Sequence, residues 1–187
     1  MKRTILIFGS ILGVILAGNA VYMVSWICRD PYFKSNDVLG YAAMVIVFSL
    51  IFFGVRNFRN KQMNGVITLG KAFKTGALIA LLGSTIYVVV GLSYYYLFAP
   101  EFMDQYTLHV LHSATLDGAT ETQLAAKVQE MEQFKTMYKN PLFVVLITYT
   151  EVLPIGLIVA FISALILKRK SSHAAGSSDV REMEYSN

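Results

Sequence analysis

The sequence predicts an all-α integral membrane protein: four transmembrane helices, with an extracytoplasmic helical hairpin between the third and fourth. Three observations lead there. The 187 residues are 55% hydrophobic and only 15% charged, with a mean hydropathy of +0.53, more apolar than a soluble domain of this size needs to be. The apolar residues fall into four uninterrupted runs, each long enough to cross a hydrocarbon core about 30 Å thick at about 1.5 Å of rise per residue. The charges lie between the runs rather than within them, with few exceptions. Because the runs are continuous and not alternating, a β-barrel is excluded.

The first span, 4–27, follows Lys2 and Arg3 and ends in an aromatic interfacial pair, Tyr22 and Trp26. It is longer than the core of a cleaved signal peptide, and "VSWIC" offers no small-x-small cleavage site, so it reads as an anchor; cleavage after Ala20 is the lesser alternative. After a short outer loop comes the second span, 38–55. The inner connector "RNFRNKQMNGVITLGK" then gathers Arg56, Arg59, Lys61 and Lys71, with Lys74 just beyond, around an Asn64-Gly65 turn signal. It reads as a lipid-facing basic loop in preference to a specific anion site. The third span, 72–98, ends in "SYYY" (Tyr94, Tyr95, Tyr96), placed as part of an aromatic belt at the outer interface.

Segment 99–141 is too long for a structureless loop. A short helix from Glu101 to Ser113 is expected, then the turn Asp117-Gly118. A second helix follows, opened by a capping box at Thr120 to Gln123 and closed by Asn140-Pro141. Leu124, Val128, Met131, Phe134 or Lys135, and Tyr138 recur along it at three-to-four spacing and predict an amphipathic face. The fourth span, 142–167, ends in a basic cluster. The remainder, 171–187, is polar with Gly and Ser and is expected to be a disordered cytoplasmic tail.

Basic residues set the orientation, since Lys and Arg are retained on the cytoplasmic side. With both termini inside, the inner side holds Lys2, Arg3, Arg56, Arg59, Lys61, Lys71, Lys74, Lys168, Arg169, Lys170 and Arg181, against Arg29, Lys34, Lys127, Lys135 and Lys139 outside. The +4 formal charge is thus a consequence of topology. Its implied partner is anionic lipid of the inner leaflet, not nucleic acid. Cys28 is the sole cysteine, so neither an intramolecular disulfide nor a multi-cysteine metal site can form, and the residues before it lack a lipidation signature. His109 and His112, near Glu101 and Asp104, hold ligand-type residues at helical spacing. Without an assured third ligand they read as a polar face, and no metal or other cofactor is expected.

Within the spans, small residues repeat: Gly9, Gly13 and Ala17; Gly76, Ala80, Gly83 and Gly91; Gly156, Ala160 and Ala164. Such stripes let helices approach closely where no hydrophobic drive separates helix from lipid. Glu151 is the exception to this structural pattern. A carboxylate at such depth costs on the order of 3 kcal/mol on insertion scales and faces a bundle interior or a wet cavity. On a helical wheel it points away from the Gly156 face, alongside Thr148 and Ile158. Pro154, three residues on, cannot donate to the Thr150 carbonyl, which predicts a kink and a free acceptor beside the acid. Matching depth from span centres makes Asn19 its best hydrogen-bond partner, with Ser84, Thr85 and Tyr87 next.

"ITLGKAFKTG" after "FFGVRNFRN", then "PEFMDQYT", "MYKNP" and "TYTEVLPIGLIVAFISALILKRK" resemble the four-span bacterial membrane proteins grouped as domain of unknown function 4199. The likeness covers about residues 5–170 and is sharpest at Glu151, Pro154 and Gly156. It implies a bacterial inner-membrane location and the same four helices, and it brings no activity and no catalytic residues. The residues themselves show no nucleophile-base pair, ligand set or phosphate loop in a fitting context. The expectation is therefore a non-enzymatic interaction or accessory protein that binds a membrane-protein partner or itself; the alternative is a small transporter or channel subunit coupled through Glu151.

Overall fold

A computed structural model describes residues 1–30, 32 and 37–168, except the side chains of 37–41. The described elements are six helices: α1 (Lys2–Arg29), α2 (Asp37–Gln62), α3 (Leu69–Phe98), α4 (Phe102–Leu116), α5 (Glu121–Tyr138) and α6 (Pro141–Leu167). Four of them, α1, α2 from Ala42 onward, α3 and α6, are long and apolar enough to cross a membrane. The expected tail at 171–187 lies outside the described residues, as do Lys34, Arg169 and Lys170.

The basic connector is corrected. Arg56, Arg59 and Lys61 lie on α2 and Lys71 and Lys74 on α3, so the true turn is only 63–68. The end of an apolar run is not the end of a helix. Arg and Lys are good helix formers, and their charge favours the C-terminal end of a helix dipole. The helix stops where Asn64 (φ 48°) and Gly65 (φ 81°) turn left-handed, and the Gly65 N–H closes on the Arg59 carbonyl at 3.0 Å. Thr68 then caps α3 by accepting from the Lys71 N–H. Ile67, from the apolar "VITL", is 1% exposed and plugs the core at this end. The start of α1 is tied here too: its terminal ammonium donates to Gln62, whose amide donates to Thr4 Oγ1 at 2.8 Å.

The α3 helix is the axis of the bundle. It packs along α1 on one flank and α6 on the other, while α2 touches all three. Glycines set the approach. A Cβ on Gly9 would fall 2.8 Å from Leu82 Cδ2 and one on Gly13 2.6 Å from Ile86 Cβ, so α1 and α3 step together in parallel. Gly76 lies against Ala160 and Gly156 against Ala80, an antiparallel seam between α3 and α6. Phe48 of α2 is fully buried, with its ring edge at the notch left by Gly156.

At the other end α4 and α5 cover the bundle. The expected capping box is present at α5: Gln123 N–H donates to Thr120 Oγ1 and Gln123 Oε1 accepts from the Thr120 N–H at 2.9 Å. Lys135 of α5 pairs with Asp104 of α4. Of the expected apolar face on α5, Met131 is buried, but Val128 is exposed. The pair α4–α5 is held mainly by a knot of rings: Tyr95 against Phe102 and Tyr138, and Tyr138 against Phe134 and Phe143, all with centroids 4.9–6.1 Å apart.

Candidate functional site

The glycine seam is tight only in the half of the bundle away from α4–α5. Gly91, further along α3, would meet nothing within 4 Å if given a Cβ. There an open cleft of about 530 Å³ lies among α1, α3 and α6 and reaches up to α4 and α5. Ala20, Met23, Val24 and Ile27 line it from α1; Tyr87, Gly91, Leu92 and Tyr95 from α3. Phe102, Met103 and Tyr106 of α4 and Phe134 and Tyr138 of α5 close the far end. The remaining lining comes from α6: Val144, Ile147, Thr148, Thr150 and Glu151.

Glu151 is the only charged residue among the described residues that line the cleft. Its position follows from the wheel: Gly156, Ala160 and Ala164 are buried in the seam, and Thr148 and Glu151 turn toward the cleft. The neighbouring hydroxyls are committed as donors, Thr148 to the Val144 carbonyl at 2.7 Å and Thr150 to the Leu146 carbonyl at 2.8 Å. Pro154 has no N–H for the Thr150 carbonyl, so an acceptor stands beside the acid. The helix nevertheless continues through Pro154 without a break in its assignment. Across the cleft, burial, and then the negative charge of Glu151, push the pKa of the Tyr138 phenol up to about 12.

Of the residues singled out in the sequence, the structure brings Tyr87 and Glu151 together in the cleft. It does not bring Asn19 there. Asn19 is exposed, next to the lining residue Ala20. The reason is register: span centres predict one alignment of depths, but close glycine contacts set the real one. Gly13 lies at Ile86 of α3, and Thr85 of α3 accepts a hydrogen bond from Tyr149, two residues before Glu151. With Gly156 against Ala80, Glu151 is level with Thr85 and so with Leu12 of α1, and Asn19 is about 10 Å beyond the acid along the bundle by helical rise.

Ser84 is fully buried in the α3–α6 seam, on the same four-residue step as Gly76 and Ala80. Its Oγ has no hydrogen-bond partner among the described residues. Ser84→Ala should therefore raise stability by about 1 kcal/mol, since it removes an unsatisfied buried hydroxyl. Thermal unfolding in detergent measures this, and a drop in stability would show that Ser84 has a partner after all.

The residues that sequence reasoning missed are the aromatic ones. Tyr95 was placed in an interfacial belt, yet it faces the cleft and joins rings from α4 and α5. Its neighbour Tyr94 bonds Ser25 of α1 at 2.8 Å, and only Tyr96 of the three is well exposed. The pattern of an aromatic near a helix end is the same for a belt and for a cleft wall, so no local signal separates them. His109 is buried on α4, and His112 meets Tyr32 edge to face at 5.0 Å. Among the described residues no three of His, Cys, Asp and Glu come together.

A family model described as a protein of unknown function, DUF4199, matches residues 6–169. The chain belongs to this family. The match runs from the first turns of α1 past the end of α6, so the cleft, the glycine seam and the α4–α5 pair are all within it. None of the curated proteins matches the chain, and none of the solved structures does.

Proposed function

We propose that this protein is a non-enzymatic, four-span protein of the bacterial inner membrane, with both termini cytoplasmic, that receives a small ligand from the extracytoplasmic side in the cleft beneath the α4–α5 hairpin. The observation that carries this reading is the contrast along α3. A wide aromatic cleft holds an acid at one end, and glycine contacts close the seam at the other. A binding site open at one end fits a receptor or accessory protein better than a continuous pathway. Among its described residues the lining offers one carboxylate, with no histidine, cysteine or second carboxylate beside it as an acid-base partner. Basic residues of α2 and α3 at the opposite end fit contact with anionic lipid of the inner leaflet. The outer surface of the hairpin, where Leu108 and Leu116 are exposed, is available for a membrane-protein partner or a second copy.

Two measurements test the reading. In a Cys28→Ser background, Asp117→Cys at the hairpin turn is expected to react with a membrane-impermeant maleimide in intact cells; protection there with labelling only after lysis reverses the orientation. In proteoliposomes the wild type is expected to move neither protons nor inorganic ions. Flux in the wild type that disappears in Glu151→Gln would establish the alternative, a transporter or channel subunit coupled through Glu151.

A further inference from the structure

The contents of the cleft narrow its ligand. Its volume, about 530 Å³, lies within the range of small-molecule sites, roughly 300 to 1,000 Å³. Among the described residues six aromatic side chains line it, Tyr87, Tyr95, Phe102, Tyr106, Phe134 and Tyr138, drawn from three helices. Against them stands one carboxylate, and among the described lining residues there is no Lys, Arg or His. Glu151 has neither an ion pair nor a hydrogen bond among the described residues.

Each class of ligand meets this wall differently. An anion would face Glu151 with no cation among the described lining residues to receive it. A neutral apolar molecule would leave the carboxylate unpaired in an apolar setting, which is costly. A bare inorganic cation needs several oxygen ligands in exchange for its hydration shell, preferably anionic ones, and the described lining offers one carboxylate, with only neutral hydroxyls and the Thr150 carbonyl besides. An ammonium with an apolar body satisfies all of the wall at once. Its charge meets the carboxylate, and its N-substituents lie against ring faces that attract cations within about 6 Å of their centroids.

We infer that the cleft binds a free monovalent organic ammonium compound, its cationic head between Glu151 and the rings of Tyr87 and Tyr138 and its apolar body among Tyr95, Phe102 and Phe134. This rests on the reading of the cleft as a ligand site, and it adds the ligand's charge and shape. Gly91 supplies the control, because it lines the cleft and an added Cβ there would meet nothing within 4 Å. Gly91→Leu thus projects a branched side chain from a position where the backbone has room for a Cβ, and takes up part of the cleft.

The test uses the purified full chain in dodecyl maltoside, with three probes: benzyltrimethylammonium, its neutral carbon isostere neopentylbenzene, and benzenesulfonate. Binding is measured by equilibrium dialysis corrected for uptake into empty micelles. It is followed in parallel by fluorescence of Trp26, the single tryptophan, which is next to the lining residue Ile27. The ammonium is expected to bind at least tenfold more tightly than its isostere, with no binding of the sulfonate. Glu151→Gln should weaken the ammonium roughly tenfold and leave the isostere unchanged, and Gly91→Leu should abolish both. Equal binding of ammonium and isostere, each lost in Gly91→Leu, would keep the ligand site and overturn the inference about charge. No binding of any probe, with Gly91→Leu silent, would overturn the ligand site itself. If Glu151→Gln aggregates, the wild-type comparison of ammonium with isostere decides alone. Native mass spectrometry separates the source: a stoichiometric phosphatidylethanolamine on the wild type that is missing from Gly91→Leu would assign the ammonium to a lipid headgroup and overturn the free ligand.

Discussion

Gly13→Val is expected to destabilise the bundle by about 3 kcal/mol, at the upper end of what overpacking a tight contact costs. The new Cβ would lie 2.6 Å from Ile86 Cβ and 3.0 Å from the carbonyl oxygen of Gly83. The first neighbour is the branch point of a stiff side chain and the second is backbone, so neither yields by a simple rotamer change. The helices must separate, and α1 loses the close packing on α3 that stands in for a hydrophobic drive inside a bilayer. Thermal unfolding in detergent should show a midpoint lowered by roughly 10 °C, taking about 3 °C per kcal/mol for a chain of this size. Gly91→Ala is the matched control. It occupies the same stripe-like sequence context on α3 but meets nothing within 4 Å, so only the helix propensity changes, a gain of up to about 1 kcal/mol. Equal effects of the two substitutions would mean that the seam is not closed where the structure has it closed.

Phe48→Ala should cost about 3 kcal/mol. Phe48 is fully buried, the largest such side chain of the core, and its ring edge lies at the notch of Gly156. Truncating a buried Phe costs about 3 to 5 kcal/mol in soluble proteins. The lower bound applies here because lipid tails cover an exposed ring nearly as well as protein does, leaving the cavity and the lost dispersion contacts as the main cost. Phe48→Leu, which refills most of the volume, should lose less than half as much. The check is a denaturation midpoint for both variants. A negligible change in Phe48→Ala would show that α2 does not anchor α3 and α6 at this level.

The legibility of the candidate site differed from residue to residue. Glu151 could be found because a carboxylate inside an apolar run is costly wherever it ends up, and Pro154 because its missing N–H is a covalent fact. Tyr87 was reachable as a polar group at a similar depth. Asn19 was not paired correctly, because depth counted from span centres ignores how far one helix slides along another. That slide is fixed by Gly9, Gly13, Gly76 and Gly156 meeting particular partners on other helices. The basic residues from Arg56 to Lys74 show the same limit at a boundary. Their hydropathy marks the edge of an apolar layer, while backbone hydrogen bonding carries α2 on to Gln62.

By itself the sequence determined the number of long apolar helices, the capped start of α5, the turn at Asn64-Gly65 and the division of α6 into a small face and an acidic one. All of these depend on covalent geometry, local capping or the cost of placing a residue type in apolar surroundings, and each acts within a few residues of chain. Only the tertiary structure decided which small residues close a seam and which, like Gly91, leave room. It alone also turned Tyr95, Phe102, Tyr106 and Tyr138 toward one carboxylate. The residues of that cleft come from five helices, and their meeting depends on the sliding and spreading of whole helices, which no local pattern encodes.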